Sequence, residues 1–234
     1  MERKIDIIYE DDSILVLDKP SGLVVNRSHT NKTVTLQDIL EESSPGIVEN
    51  EDTEEDDFIQ RTGIVHRLDK DTSGLLIVAK NRDTFNKMLS QFKERKTQKE
   101  YLGILCGKID DPIIEINAPI KRNPKSPLRY AVVEGGKEAF TRFENIKNIQ
   151  KEEYWYTLMK ILPKTGRTHQ IRVHSLAIGN PIAGDQIYCS KILLERSLIH
   201  FGRMMLHASK IGIFHPKTDK FIEFTSKIPK EFSL

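Results

Sequence analysis

What most limits the folds open to this chain is a series of short apolar runs, each closed by a polar turn cluster. Ile14-Leu15-Val16-Leu17 ends in Asp18-Lys19-Pro20-Ser21-Gly22, and Leu23-Val24-Val25 follows at once. Ile64-Val65 and Leu75-Leu76-Ile77-Val78-Ala79 flank a second polar turn, and Tyr101–Cys106 and Tyr154–Leu162 repeat the pattern. Leu206–Phe214 and Phe221–Phe224 enclose His215-Pro216-Lys217-Thr218-Asp219-Lys220, which reads as a closing hairpin. Helical spacing is rarer. Leu36, Ile39 and Leu40 follow Thr33 or Thr35 as N-cap, and Phe85, Met88, Leu89 and Phe92 share one face after Asp83. Ile171, Ser175 and Ile178 share another, ended by Gly179 and Pro181. Many strands with a few interspersed helices predict an α+β fold on a mixed, mostly antiparallel sheet.

A chain of 234 residues, 38% hydrophobic and 30% charged, suits one globular domain spanning residues 1–234. No apolar run approaches the roughly 20 residues that span a bilayer. Met1–Asp6 is charged and leads straight into a strand-like stretch, so no signal peptide is visible. Cys106 and Cys189 form no CxxC pair and sit in apolar surroundings, as buried free thiols do, which points to the reducing cytoplasm. The net charge is only +2, but nine of the 34 acidic residues fall between Glu41 and Gln60, where there is no Lys or Arg. Elsewhere 36 basic residues face 25 acidic ones, a balance compatible with a polyanionic partner. The acidic stretch 41–60 lacks apolar periodicity and reads as a mobile surface loop, a spacer or an electrostatic gate against non-specific polyanion binding.

The densest chemistry lies in His66-Arg67-Leu68-Asp69-Lys70-Asp71-Thr72-Ser73-Gly74-Leu75, a polar turn between two apolar runs. Such a turn can simply satisfy its own backbone amides. Asp69, Asp71, Ser73 and Gly74 also match the opening positions of a calcium-binding EF-hand loop. That loop needs a glutamate where this chain has Lys80, and helical flanks where these are strand-like. The stretch resembles the central motif of the RluA family of RNA pseudouridine synthases. Other blocks resemble the same family in the expected order: Leu17–Leu23, Lys99-Glu100-Tyr101, Ala118-Pro119-Ile120, Glu134–Lys137, Thr165–His174 and Leu206-His207-Ala208.

The resemblance implies a pseudouridine synthase catalytic fold with a central RNA-binding cleft, which isomerises uridine in ribosomal or transfer RNA. It implies that Asp69 is the catalytic aspartate and that Arg67 enters the RNA where the uridine leaves its stack. Tyr101 would pack under the uracil, Arg172 would pair with Asp69, and Leu206 would line the pocket. Those residue types suit the chemistry. Moving uracil from an N1 to a C5 linkage breaks a glycosidic bond, and a carboxylate beside C1′ can stabilise the resulting charge or abstract a sugar proton. A neighbouring arginine favours the charged carboxylate. The uridine must first be flipped out, at a cost of a few kcal/mol. Product and substrate are isomers, so neither metal nor organic cofactor is expected.

The candidate RNA-contacting residues are Lys19, Arg67, Lys93, Arg95, Lys96, Lys121, Arg122 and Arg167, with Lys99, Lys125 and Arg129 nearby in the same basic clusters. His169, His174 and His207 lack the spacing of a metal site, and Gly166-Arg167-Thr168 lacks the first glycine and the lysine of a phosphate loop. The first family block begins at Leu17, which leaves no room for an accessory N-terminal RNA-binding domain, and a monomer is expected. Glycosidic hydrolysis is a rival reading, opposed by the lack of an obvious second catalytic carboxylate. An RNA-binding or ribosome-assembly factor without catalysis is another, opposed by the intact set Arg67, Asp69, Tyr101 and Arg172.

Overall fold

A computed structural model describes residues 5–28, 31–43, 56–127 and 129–232. Along the chain run β1 (Asp6–Glu10), β2 (Ile14–Lys19), α1 (Leu36–Ser43), α2 (Asp57–Gln60), β3 (Ser73–Ala79), α3 (Arg82–Lys93) and β4 (Gln98–Cys106). Then come β5 (Ile113–Asn117), β6 (Ile120–Arg122), β7 (Tyr130–Val132), β8 (Phe140–Lys151), β9 (Tyr154–Pro163), α4 (Gln170–Ala177), α5 (Lys191–Phe201), β10 (Leu206–Phe214) and β11 (Phe221–Thr225). No helix among the described residues is long and apolar enough to cross a membrane. The chain forms two compact units, Met1–Gln98 with Lys210–Ser226, and Lys99–Ser209 with Lys227–Leu234.

In the first unit β2 pairs antiparallel with both β1 and β3, and the second half of β10 pairs antiparallel with β11. Every residue of β3 is buried, so the strand is covered on both faces, and this is why its sequence is a continuous apolar run and not an alternation. Phe85 and Met88 of α3 are buried in the same core, with Leu89 and Phe92 packed against it, as the helical spacing predicts. The N-cap of α3 is Asn81, whose side chain accepts from the Thr84 amide. Thr35 caps α1: its hydroxyl accepts from the Asp38 amide at 3.2 Å, and the Asp38 carboxylate accepts from the Thr35 amide at 2.7 Å.

In the second unit β4, β9, β8 and β5 lie side by side with antiparallel pairings, and β6 and β7 form a separate hairpin. One apolar cluster joins Leu105, Phe143, Met159, Ile161, Ile182 and Leu206, and Tyr101 packs against it. A smaller one ties Ile120 and Tyr130 of the hairpin to Val173 and Tyr188.

Several sequence expectations change. Leu23–Val25 and Ile64-Val65 are not full strands; each makes one bridge, Val24 to Thr35 and Ile64 to Val78. β5 to β8 and α5 are absent from the sequence reading. β8 is mostly polar and only Thr141 and Phe143 are buried, while α5 leaves Ile192 and Ile199 exposed, so neither carries a clean period. Of the acidic stretch 41–60, residues 44–55 lie outside the described residues. At its described ends, Glu41 pairs with Arg27 and accepts from the Thr62 hydroxyl, while Asp56 caps α2 and pairs with Arg82. Cys106 and Cys189 are buried free thiols.

Candidate active site

In the first unit, residues 63–79 fold back on themselves. The Ala79 amide donates to the Gly63 carbonyl at 2.8 Å, and the Thr72 amide closes the tip by donating to the Asp69 carbonyl at 3.1 Å. Position 63 must be glycine: its φ is +71°, and a Cβ there would lie 2.1 Å from the Ala79 carbonyl oxygen. His66 accepts from the Ile77 amide through Nε2 at 2.9 Å and stacks on Phe92, and Leu68 is buried. Between these anchors Arg67 is exposed and Asp69 half-buried.

The preceding turn holds this tip from the other side. Lys19 is fully buried, and its ammonium donates to the carbonyls of Pro20 (2.9 Å), Leu23 (2.9 Å) and Lys70 (3.0 Å). The Gly22 amide donates to the Lys70 carbonyl at 2.9 Å, and the Ser21 hydroxyl to that of Asp71 at 2.7 Å. Lys19, expected from the sequence among the RNA contacts, here binds backbone carbonyls. Burial removes it from solvent, and its charge binds the backbone just after Asp69.

In the second unit Arg172 lies on α4 with its guanidinium buried. Its Nε donates to Asp185 Oδ2 at 2.7 Å and Nη2 to Oδ1 at 2.8 Å, a two-pronged pair. Asp185 is a partner of this arginine that the sequence did not single out beside the expected Asp69. Asp185 Oδ1 also accepts from the amides of Ile187 (2.9 Å) and Tyr188 (3.1 Å), which locks the turn after Ala183. The Arg172 guanidinium lies 5.1 Å from the centre of the Tyr188 ring, and the Tyr188 hydroxyl bonds His169 Nδ1 at 2.9 Å and accepts from the Tyr130 amide. His174 donates from Nε2 to the Ala118 carbonyl and meets the Thr141 hydroxyl through Nδ1; burial pushes its pKa down. Among the described residues no three His, Cys, Asp or Glu side chains are placed to hold a metal.

A family model described as RNA pseudouridylate synthase matches residues 13–177. The chain is 38% identical over 231 residues to an uncharacterised RNA pseudouridine synthase of Aquifex aeolicus, covering 97% of this chain and 71% of that one. It is 35% identical to the ribosomal large subunit pseudouridine synthase D of Nitrosomonas europaea over 97% of this chain, which spans 63% of that relative. Among solved structures it is similar to human RNA pseudouridylate synthase domain containing 1, with a TM-score of 0.78 and 27% identity over 97% of this chain and 84% of that one.

The chain belongs to the RNA pseudouridylate synthase family.

This family of isomerases acts on RNA, and the α+β fold agrees with it. The expected site residues of this pseudouridine synthase are distributed over both units. Arg67 and Asp69 stand on the tip held by Lys19. Tyr101 is half-buried near the start of β4, Arg172 is on α4, and Leu206 is buried as the first residue of β10. Of the expected RNA contacts, Lys93, Arg95, Lys96 and Lys121 are exposed, with Lys96 paired to Glu94. Arg122 donates to the Pro127 carbonyl and lies over the Tyr130 ring, and Arg167 donates to the Glu138 carbonyl. Asp185 and Tyr188 went unnoticed in the sequence because no spacing ties them to α4; the cue was the Gly184-Asp185-Gln186 step between Ile182-Ala183 and Ile187-Tyr188.

Proposed function

We propose that this pseudouridine synthase modifies uridine in the RNA of the large ribosomal subunit, in the cytoplasm, with Asp69 as its catalytic carboxylate and no metal or organic cofactor. The observation that carries the reading is the Asp69 tip, whose following backbone is held by a buried ammonium, an amide and a hydroxyl from the Lys19–Gly22 turn. Such anchoring fixes a carboxylate relative to a bound sugar, as a group acting at C1′ requires. The N1–C1′ bond of uridine breaks, Asp69 stabilises the positive charge left at C1′, and the uracil turns in place. A C1′–C5 bond then forms, the C5 proton leaves and N1 takes up a proton, so substrate and product are isomers and no electron is gained or lost. Arg67, exposed beside Asp69, fills the gap left by the flipped nucleotide, Tyr101 supports the uracil, and Leu206 lines its pocket. The name of the Nitrosomonas europaea relative supports ribosomal over transfer RNA as substrate.

The test is Asp69→Asn in a tritium-release assay on RNA carrying 5-tritiated uridine. Shape and hydrogen-bonding capacity stay and the charge goes, so turnover should fall by at least about 10²-fold with RNA binding retained. Substantial residual turnover removes Asp69 from this role. Mapping pseudouridines in total RNA with and without the gene identifies the target.

A further inference from the structure

Lys99 is a cation that the fold leaves unmatched. The other deeply placed lysine, Lys19, is surrounded by three carbonyls, and the half-exposed Lys160 is paired with Glu144. Lys99 is half-buried on β4, yet among the described residues no hydrogen bond or ion pair reaches its ammonium. Burial alone pushes its pKa below the ordinary lysine value, with no carboxylate to offset it. Desolvating an ammonium without a partner costs folding energy, and such a group is more useful to a ligand than to the fold.

Two features say where the ligand sits. Lys99 and Tyr101 are two residues apart on β4, so both side chains leave the same face of the strand, about 7 Å apart. The Lys99 Nζ also stands in front of Gly166, since a Cβ there would lie 3.7 Å from it. Gly166 is exposed and its φ is outside the left-handed region, so the backbone does not call for glycine. What the missing side chain supplies is an open approach to the ammonium.

We propose that Lys99 and the open face of Gly166 form a binding subsite for one phosphate of the RNA strand, beside the nucleotide that Tyr101 supports. The inference rests on the RNA-modifying reading and assigns a ligand within it. A phosphate entering over Gly166 gives the ammonium the anion that the protein withholds, and ties the backbone down where the base has been turned out.

Binding of a labelled single-stranded oligouridylate across a salt series tests this. Lys99→Met should weaken binding about tenfold at low salt and reduce the slope of log affinity against log salt by about 0.7, the share of one phosphate on a single strand. Lys99→Arg should keep most of the slope. Gly166→Asp leaves the lysine intact but places a carboxylate before it; it should lose affinity as Lys99→Met does while raising the thermal midpoint. Unchanged slopes in both Lys99→Met and Gly166→Asp overturn the proposal. So does a Lys99→Met enzyme with normal affinity and a reduced kcat, which would move the ammonium onto the uracil. A wild-type chain that makes no pseudouridine sinks the catalytic reading instead, and that result is read separately from the salt slopes.

Discussion

Lys19 shows how far a residue's surroundings override its type. A lysine in a polar turn of a basic RNA-modifying protein is expected to meet phosphate, yet this one is wholly buried and serves three carbonyls, including that of Lys70 beside Asp69. Lys19→Met should therefore destabilise the protein by about 3 kcal/mol in urea denaturation, because three desolvated carbonyls lose a charged donor. It should lower kcat and leave the salt slope of RNA binding unaltered; a reduced slope would return Lys19 to the RNA surface. His207 is a second buried residue with a measurable consequence. Burial, reinforced by the positive charge of Arg203, pushes its pKa from the usual 6.5 down to about 4. Between those values the unfolded chain holds a proton that the folded chain refuses, so stability is complete above about pH 6.5 and declines as pH falls towards 4. The contribution at stake is about 3 kcal/mol, and His207→Gln should flatten the curve of unfolding free energy against pH in that window.

At the scale of elements, α4 and the turn after it act as one piece. Arg172, Asp185, Tyr188 and His169 are linked by ion pair, ring contact and hydroxyl, and Val173 and Tyr188 share a small core with the β6–β7 hairpin. Arg172→Met leaves the Asp185 carboxylate buried with two amides but no counter-charge. The cost should be about 3–5 kcal/mol by chemical denaturation. Combining it with Asp185→Asn should recover part of that loss, since the stranded charge goes with its partner. Turnover should fall sharply while RNA affinity stays near normal, and an Arg172→Met enzyme with wild-type turnover would contradict a role in the reaction. The sequence spacing of Ile171, Ser175 and Ile178 was enough to find α4 but not its tie to Asp185.

For the molecule as a whole, charge placement matters more than its sum. The net charge of +2 hides an acidic stretch inside a basic chain. Asp56 and Asp57 belong to the start of α2 and have partners of their own, so a test of the electrostatic gate should spare them and replace only Glu49–Glu55 with a Gly/Ser linker. Thermal stability should be nearly unchanged. If the stretch repels RNA, affinity for random RNA should rise at low salt, with an advantage that shrinks as salt increases. Equal affinities at all salt concentrations would leave it a spacer.

The sequence by itself determined the class of fold, because apolar runs such as Leu75–Ala79 and the helical face of Phe85, Met88, Leu89 and Phe92 are local patterns that each element carries alone. It also carried the family, in motifs whose residues are contiguous. The tertiary structure alone decided what those motifs hold. Asp185 became a partner of Arg172 and Lys19 became a clamp on the Asp69 tip because burial and hydrogen bonding are set by chain segments 13 and 51 residues away. The polar strand β8 was equally hidden from the sequence, since a strand supported by its neighbours needs no hydrophobic period of its own.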